Sequence, residues 1–374
     1  FAYCLVAYIV ETHFWQRRLI DDAKASMRFL GGFVSFLLIF QLHQTWLRLT
    51  HGMQLTSDFF NSLHSLIATV LGYLRRDEDE NGESGGGDEA SRSQAYLAIA
   101  TEVHIVRLAL AIGASLKYHC RIAEHVLSGG RLKSERLPLL LFDYHRIKGL
   151  LYESEKAILD ASCGLFLEET PGENGCEHCY FRVRLNYLDF LDSPQAQAQV
   201  AAWPPITGMQ RVGAGAGSTW LEESRAGIAL PLLLMQLLRG HLAKAASPLR
   251  PWGFPERVLN VVEMHLTEVA RCFEQLDRLI TMPLPLAYLQ HCKVLFLCFV
   301  LIYPCTIPAT DGFWANVCSP CLIFFGLYGF SVLADRMENP MGDEFQDLNI
   351  LEMIHELELR AYKVFTVTET HREL

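Results

Sequence analysis

Charged residues are scarce in this sequence, and so are the patterns that accompany binding to nucleic acid. Only 20% of the 374 residues are Asp, Glu, Lys or Arg, whereas 51% are hydrophobic. The formal net charge is -10, and no basic stripe is present, so we expect no nucleic-acid partner. The composition instead favours several membrane spans combined with a sizeable helical region outside the lipid bilayer.

Patterns typical of catalysis, disulfide scaffolds and metal centres are also missing. The eleven cysteines lack a framework spacing. Cys176 and Cys179 have the spacing of half a zinc site, but no second pair of ligands lies nearby in the sequence. The glycine-rich segment 213–217 lacks the third glycine of a dinucleotide fingerprint. No Ser/His/Asp or paired-carboxylate arrangement can be defended, so the sequence predicts neither an enzyme nor a bound cofactor.

Four apolar stretches stand out, and they come as two pairs at the two ends of the chain. They occupy residues 1–10, 25–42, 283–308 and 312–334. The fourth has no charged residue over a length sufficient to cross about 30 Å of hydrocarbon as a helix. The first begins abruptly at Phe1, and we interpret it as a span whose beginning lies upstream. The protein is therefore predicted to be an integral, multi-pass membrane protein.

The pairing of these stretches predicts how the chain is organised. We expect a first transmembrane hairpin, an extramembrane helical region, a second transmembrane hairpin and an extramembrane helical tail, at residues 1–50, 51–282, 283–335 and 336–374. Two insertions in the helical region are rich in residues typical of flexible chain. Residues 77–93 are acidic and contain several glycines, and residues 168–219 are rich in Gly, Pro, Ala and Gln, so both are predicted to be disordered.

A ladder of phenylalanines marks the second apolar stretch. Phe29, Phe33, Phe36 and Phe40 recur at spacings that place them on one face of a helix. Such a stripe usually packs against lipid or against a protein core. If the face instead lines a symmetry axis, its rings would form a narrow apolar constriction that gates by dewetting. The polar residues that follow would suit a wet vestibule; these are Gln41, His43 and Gln44.

Three further segments of the chain carry motifs with a recognisable order of residues. Glu338-Asn339-Pro340-Met341-Gly342, followed by Asp347-Leu348, is similar to the E-(N/E)-P-F-G and N-D-L-P-L motifs of the bestrophin family. The segment from Thr281 to Tyr288 resembles T-P-(L/I)-P-(L/F)-A-Y, which opens the third span. The segment from Ser35 to Gly52 resembles S-(I/F)-F-L-G-F-R-N-N-x-x-Y-x-R-W-W-E-G. Phe40, Trp46, Arg48 and Gly52 match this pattern, and Gln41, Leu42, His43 and His51 depart from it.

The resemblance implies an all-α membrane protein with four transmembrane helices per subunit and a large helical cytosolic, stromal or matrix region. Five copies would assemble as a homopentamer around one central pore. Carried over by position, the neck of that pore falls on Gly32, Phe36 and Phe40, with Phe33 adjacent. A second constriction, the cytosolic aperture, falls at Met282, or at Ile280 if the register slips.

Calcium control is the one cofactor question that the resemblance raises. Animal members bind Ca²⁺ through consecutive acidic residues after the N-P-F-G turn. Phe345 and Gln346 interrupt that run here. Because Ca²⁺ takes six to eight oxygen ligands, we expect weak or absent Ca²⁺ binding and no other metal. The remaining weak candidates for Ca²⁺ ligands are Asn339, Asp343, Glu344 and Asp347.

Two functions are compatible with this resemblance. The first is an anion channel that conducts chloride or bicarbonate through the aromatic neck. The second is a non-conducting subunit with the bestrophin fold, built into a larger assembly with other membrane subunits. The plasma membrane, the plastid thylakoid and the mitochondrial inner membrane all fit the same features.

Overall fold

The computed structural model describes most of the chain. The described residues are 2–14, 20–73, 89–127, 132–133, 137–163, 165–170, 180–185, 230–245, 256–282, 284–307, 312–342 and 347–373.

These residues form ten α-helices and three short β-strands. The first five helices are α1 (Ala2–Phe14), α2 (Ile20–Tyr73), α3 (Glu89–Leu127), α4 (Leu137–Gly149) and α5 (Glu153–Cys163). The other five are α6 (Leu230–Ala245), α7 (Glu256–Thr281), α8 (Leu286–Ile302), α9 (Ser319–Met337) and α10 (Ile350–Glu373). A 3₁₀ turn at Tyr303–Thr306 follows α8, and a π-helical turn at Trp314–Cys318 precedes α9. The predicted all-α architecture is confirmed as the dominant one.

The chain divides into two compact units. The first comprises Phe1–Gln54 and Met282–Leu348, and the second comprises Leu55–Thr281 and Asn349–Leu374. Helix α2 contributes to both, because it continues without a break from Ile20 to Tyr73. The predicted second span ended at residue 42, so the apolar pattern identified only part of this helix. Where the membrane lies relative to these units stays a prediction.

Side chains from α2, α8 and α9 form the core of the first unit. Val34, Leu38, Phe299 and Leu327 are buried together. The Phe299 and Phe324 rings meet edge to face, with centroids 6.0 Å apart and planes at 89°. Helix α1 packs against the two turns that flank the α8–α9 connection. There the Tyr3 hydroxyl donates a hydrogen bond of 2.5 Å to the Leu301 carbonyl oxygen.

Among the described residues, four helices are long and apolar enough to cross a membrane. They contain Phe29–Tyr73, Tyr96–Ala123, Leu286–Thr306 and Trp314–Met337. In Tyr96–Ala123, 56% of an apolar 18-residue stretch is buried inside the protein. The corresponding shares in the other three helices, in chain order, are 22%, 11% and 28%. The apolar residues of α3 therefore largely serve a protein core. At 13 residues, α1 is shorter than the roughly 20 residues that a helical span needs.

Helix α3 is the centre of the second unit, where it packs against α4, α6, α7 and α10. Tyr118, Leu108 and Ile112 are fully buried there, together with Phe59 from α2. Helix α7 is amphipathic, and the apolar residues at helical spacing on its inner face are buried. These are Val262, Leu266, Val269, Phe273, Leu276 and Ile280.

An ion pair is buried inside the same unit. The Arg121 guanidinium on α3 contacts the Asp143 carboxylate on α4 and also donates a hydrogen bond of 3.0 Å to the Leu139 carbonyl oxygen. The side chains of Arg121 and Asp143 are only 8% and 3% exposed. Buried charges cost several kcal/mol of desolvation unless they are paired, so this contact fixes α3 against α4.

The two predicted insertions are only partly within the described residues, and the prediction of disorder is wrong where they are. Residues 89–93 form the first turns of α3. Residues 168–170 end strand β2 (Leu165–Thr170), which pairs antiparallel with β3 (Tyr180–Leu185). Strand β1 (Leu132–Lys133) pairs with the other edge of β3. Phe166, Phe181 and Val183 are aromatic or β-branched residues, which favour strands. The rest of the two insertions lies outside the described residues.

Candidate functional site

The phenylalanine ladder lies on a face of α2 that the chain itself leaves uncovered. Phe29, Phe33, Phe36 and Phe40 are 80%, 44%, 63% and 42% exposed. Gly32 and Ile39 are exposed on the same face. We call these six residues the aromatic face. It brings together all four residues predicted for the neck, although whether the face lines a symmetry axis stays a prediction.

The opposite face of α2 holds the helix in the first unit. Val34 and Leu38 on that face are buried against α8 and α9. A β-carbon on Gly31 would lie 3.0 Å from Phe299 Cε2, so a larger residue would require the Phe299 ring to shift by a few tenths of an ångström. A β-carbon on Gly32 would meet nothing within 4 Å. Two adjacent glycines therefore separate the packed face from the aromatic face.

Two rings of the aromatic face stack along the helix. The centroids of Phe36 and Phe40 are 6.2 Å apart, and their planes are inclined by 22°. Phe40 also meets Tyr288 of α8 edge to face, with centroids 6.3 Å apart. The Tyr288 hydroxyl reaches the Leu37 carbonyl oxygen at 3.4 Å. The Phe40 ring therefore packs against α8, whereas the Phe36 ring is more exposed.

The polar residues after Phe40 do not share one environment. His43 is exposed and Gln44 is half-buried, but Gln41 is only 1% exposed. Gln41 follows Leu38 and Val34 at helical spacing, so it points into the packed side of α2. The prediction that Gln41 lines a vestibule is therefore wrong. The vestibule assignments of His43 and Gln44 stay predictions.

The two alternatives for the cytosolic aperture are separated by burial. Met282 is 68% exposed, whereas Ile280 is 5% exposed and belongs to the buried face of α7. Ile280 is therefore wrong as an aperture residue, and Met282 stays the candidate. Arg48 of α2 donates a hydrogen bond of 2.8 Å to the Met282 carbonyl oxygen. This contact fixes the backbone at the candidate aperture to the helix that carries the aromatic face.

The turn after α9 is closed by hydrogen bonds among its own residues. The Met341 backbone N–H donates to Asn339 Oδ1 at 3.3 Å, and the Leu348 N–H donates to the Pro340 carbonyl oxygen at 2.9 Å. A β-carbon on Gly342 would lie 2.5 Å from Asp347 Oδ2, so any larger residue at position 342 would displace the Asp347 side chain. Of the four weak Ca²⁺ candidates, Asp343 and Glu344 lie outside the described residues.

The same turn packs against α2 through Gly52. A β-carbon on Gly52 would lie 3.3 Å from Pro340 Cγ and 3.5 Å from Met341 Cε. Met341 itself is 2% exposed. The motif segments recognised separately in the sequence are thus in contact within the first unit. No role was predicted for Arg48 and Tyr288 from the sequence. Both lie inside the recognised motifs, and that position could have indicated a structural role.

Comparisons with known proteins agree on one architecture. A family model described as bacterial/fungal bestrophin protein matches residues 216–362. A mutant of a bacterial bestrophin homologue from Klebsiella pneumoniae aligns over 98% of this chain and 96% of its own, with a TM-score of 0.60 and 13% sequence identity. The chain has the bestrophin fold.

Two further similarities bear on the bestrophin assignment. Another mutant of the Klebsiella pneumoniae bestrophin homologue covers 97% of this chain and 95% of its own, with a TM-score of 0.58 and 13% identity. A voltage-dependent anion channel-forming protein of Mesorhizobium japonicum is 27% identical over 146 residues. That match spans 38% of this chain and 45% of the relative. The predicted resemblance to bestrophins is confirmed, and with it the assignment to a membrane.

Proposed function

We propose that this bestrophin-like chain is one subunit of a pentameric anion channel that conducts chloride or bicarbonate. The observation that carries the proposal is the aromatic face of α2, which the isolated chain leaves open to contact with something else. The similarity to an anion channel-forming protein supports the same function. In this arrangement Gly32, Phe33, Phe36 and Phe40 of five copies would surround the neck.

A ring of phenylalanines can regulate ion passage without a specific binding group. An ion that enters a narrow apolar constriction sheds part of its water and meets no formal charge in return, so the constriction opposes conduction when it is dry. The edges of aromatic rings carry partial positive charge, which favours an anion over a cation. The stacked pair Phe36 and Phe40 would make this constriction two rings deep.

The second constriction would form at Met282. Its side chain is exposed, and its carbonyl oxygen is held by Arg48. We propose that residues 283–335 and the first half of α2 are embedded in lipid, whereas residues 51–282 and the tail lie mainly outside the bilayer. The extensive burial of α3 by neighbouring helices supports this placement, since a lipid-facing helix would not need that cover.

Reconstitution of purified protein tests the function directly. Chloride efflux from liposomes and reversal potentials in planar bilayers should show anion conduction, and the mass of the purified particle should correspond to five chains. A pentamer without anion flux would contradict the channel function and favour the non-conducting, structural role. A single copy bound to unrelated membrane proteins would favour that role even more strongly.

A further inference from the structure

Three side chains with metal-binding groups converge in the second unit. They are His104 on α3, Glu155 in the first turn of α5 and His241 on α6. His104 Nε2 lies 3.0 Å from His241 Nε2 and 3.0 Å from Glu155 Oε1. His241 Nε2 lies 3.7 Å from the same carboxylate oxygen. We call these three residues the His–Glu–His cluster; it is separate from the aromatic face and from the turn after α9.

The size of this triangle suits a transition metal. Zinc binds imidazole nitrogen and carboxylate oxygen at about 2.0–2.2 Å in a tetrahedral arrangement, which separates neighbouring ligand atoms by about 3.3 Å. The three separations of 3.0, 3.0 and 3.7 Å bracket that value. A point about 2.05 Å from all three atoms lies about 0.8 Å outside their plane, close to the offset of roughly 0.7 Å in a tetrahedral centre. The spacing of the three atoms therefore matches the size of a zinc centre.

Hydrogen bonding within the described residues leaves the cluster incompletely satisfied. Glu155 Oε2 accepts a hydrogen bond of 2.8 Å from the Tyr152 backbone N–H, but Oε1 is buried without a hydrogen-bond partner. The Glu155 side chain is only 5% exposed. His104 Nε2 and His241 Nε2 face each other and Glu155 Oε1. Each neutral imidazole carries only one N–H, so hydrogen bonds among these three atoms cannot satisfy all of them well. A metal ion would contact all three through their lone pairs.

The surroundings hold the ligands in place. The His104 ring stacks on Tyr152, with centroids 4.8 Å apart and planes at 12°. The Arg107 guanidinium also lies over the Tyr152 ring, 3.5 Å from its centroid, and its Nη2 is 3.5 Å from Glu155 Oε2. Arg107 thus approaches the carboxylate through the oxygen that the ion would not use.

We propose that the His–Glu–His cluster binds a divalent transition metal of the Zn²⁺ class. Two imidazoles and one carboxylate suit zinc, whereas Ca²⁺ and Mg²⁺ prefer sites built from more oxygen ligands. Three protein ligands leave a fourth position for water or another small ligand. Because the ligands come from three helices, the ion would tie α3, α5 and α6 together and stabilise the folded second unit. The sequence had predicted no such site.

Metal titration of the purified full-length protein in detergent tests this proposal. After treatment with a chelator, Zn²⁺ should bind with one high-affinity site per chain and raise the temperature of thermal unfolding, whereas Mg²⁺ should do neither. Glu155→Gln and His241→Ala should each weaken Zn²⁺ binding by at least tenfold. His355→Ala is the matched control, because the His355 side chain is 66% exposed and lies outside the cluster.

Two further measurements distinguish Zn²⁺ binding at the cluster from Zn²⁺ binding elsewhere in the chain. Co²⁺ bound at the cluster should give visible absorption without the thiolate charge-transfer bands that ligation by Cys176 and Cys179 would produce. Circular dichroism and particle mass should show that Glu155→Gln and His241→Ala remain folded. Gln has nearly the same volume as Glu, and His241 lies at a partly exposed position. Undiminished Zn²⁺ affinity in these folded variants, or affinity lost only in Cys176→Ser with Cys179→Ser, would overturn the proposal.

Discussion

Gly31 lies against the Phe299 ring so closely that a β-carbon on residue 31 would be 3.0 Å from Phe299 Cε2. The next residue, Gly32, has open space around the same position. Within a single turn of α2, this contrast between neighbours marks the border between the packed face and the aromatic face.

Alanine at the two glycines should have opposite effects on stability. Gly31→Ala presses a β-carbon against the Phe299 ring, which has to shift by a few tenths of an ångström, and should destabilise the protein by about 1–3 kcal/mol, the usual cost of overpacking. Gly32→Ala should be neutral or stabilising by up to about 1 kcal/mol, because alanine has the higher helix propensity. Thermal unfolding of both variants in the same detergent checks this. Equal unfolding temperatures would show that α2 and α8 do not pack as described.

Removal of the stacked rings should increase anion leak. In Phe36→Ala with Phe40→Ala, smaller side chains should let water into the neck and lower the barrier to a dehydrated ion. We expect faster chloride efflux from liposomes and weaker gating in bilayer recordings. If the rings instead pack against protein in the assembled complex, the double change would destabilise the fold by several kcal/mol and give no flux.

A matched double variant on another helix serves as the control. Phe325 and Phe330 of α9 are 79% and 41% exposed, similar to the 63% and 42% of Phe36 and Phe40. Phe325→Ala with Phe330→Ala removes the same chemical groups from a different surface of the first unit. Its flux should equal that of the wild type. A rise in flux in this control as large as that in the α2 variant would argue against a neck on α2.

Calcium removal should change anion current little. Asn339 Oδ1 already accepts the Met341 N–H, and the acidic run is broken by Phe345 and Gln346. Currents recorded in bilayers before and after addition of a calcium chelator should therefore agree. A strong, reversible Ca²⁺ dependence that disappears in Asp347→Asn would contradict this expectation.

The buried ion pair in the second unit should be far more sensitive to mutation than exposed pairs. Arg121→Met deprives Asp143 of its charged partner inside the protein and should destabilise by about 3–5 kcal/mol. Arg121→Met combined with Asp143→Leu should recover part of this loss, because no uncompensated charge is left. Arg360→Met breaks a pair whose side chains are half-exposed and should cost less than about 1 kcal/mol. Chemical denaturation of the four proteins compares these costs.

The sequence predicted the aromatic face well because helical spacing alone decides which residues share a face. The same rule could have excluded Gln41 and Ile280. Gln41 follows Val34 and Leu38 on the packed side, and Ile280 continues the buried series of α7. Gln41 was assigned to a vestibule because it is polar and directly follows Phe40, whereas Ile280 was carried over by position from the family resemblance.

Other parts of the molecule gave no readable signal. His104 and His241 are 137 residues apart, and the lone Glu155 lies between them in no recognised spacing. Only the packing of α3, α5 and α6 brings these side chains together. The length of α2 was also hidden, because its second half loses the continuous apolar pattern of the first and becomes an amphipathic helix with a buried face.

The composition of the aromatic face has a consequence for which anions would cross. From Phe29 to Phe40, its exposed residues are four phenylalanines, a glycine and an isoleucine, so no side-chain donor can substitute for lost water. A neck lined by such residues should select anions by their hydration free energy. The cost of removing water from the anion outweighs the favourable contacts that the anion makes inside the neck. Iodide and thiocyanate, which hold water weakly, should permeate ahead of chloride, and fluoride should lag behind it. Reversal potentials in mixed salts measure this order, and a preference for fluoride would require a polar filter elsewhere along the path.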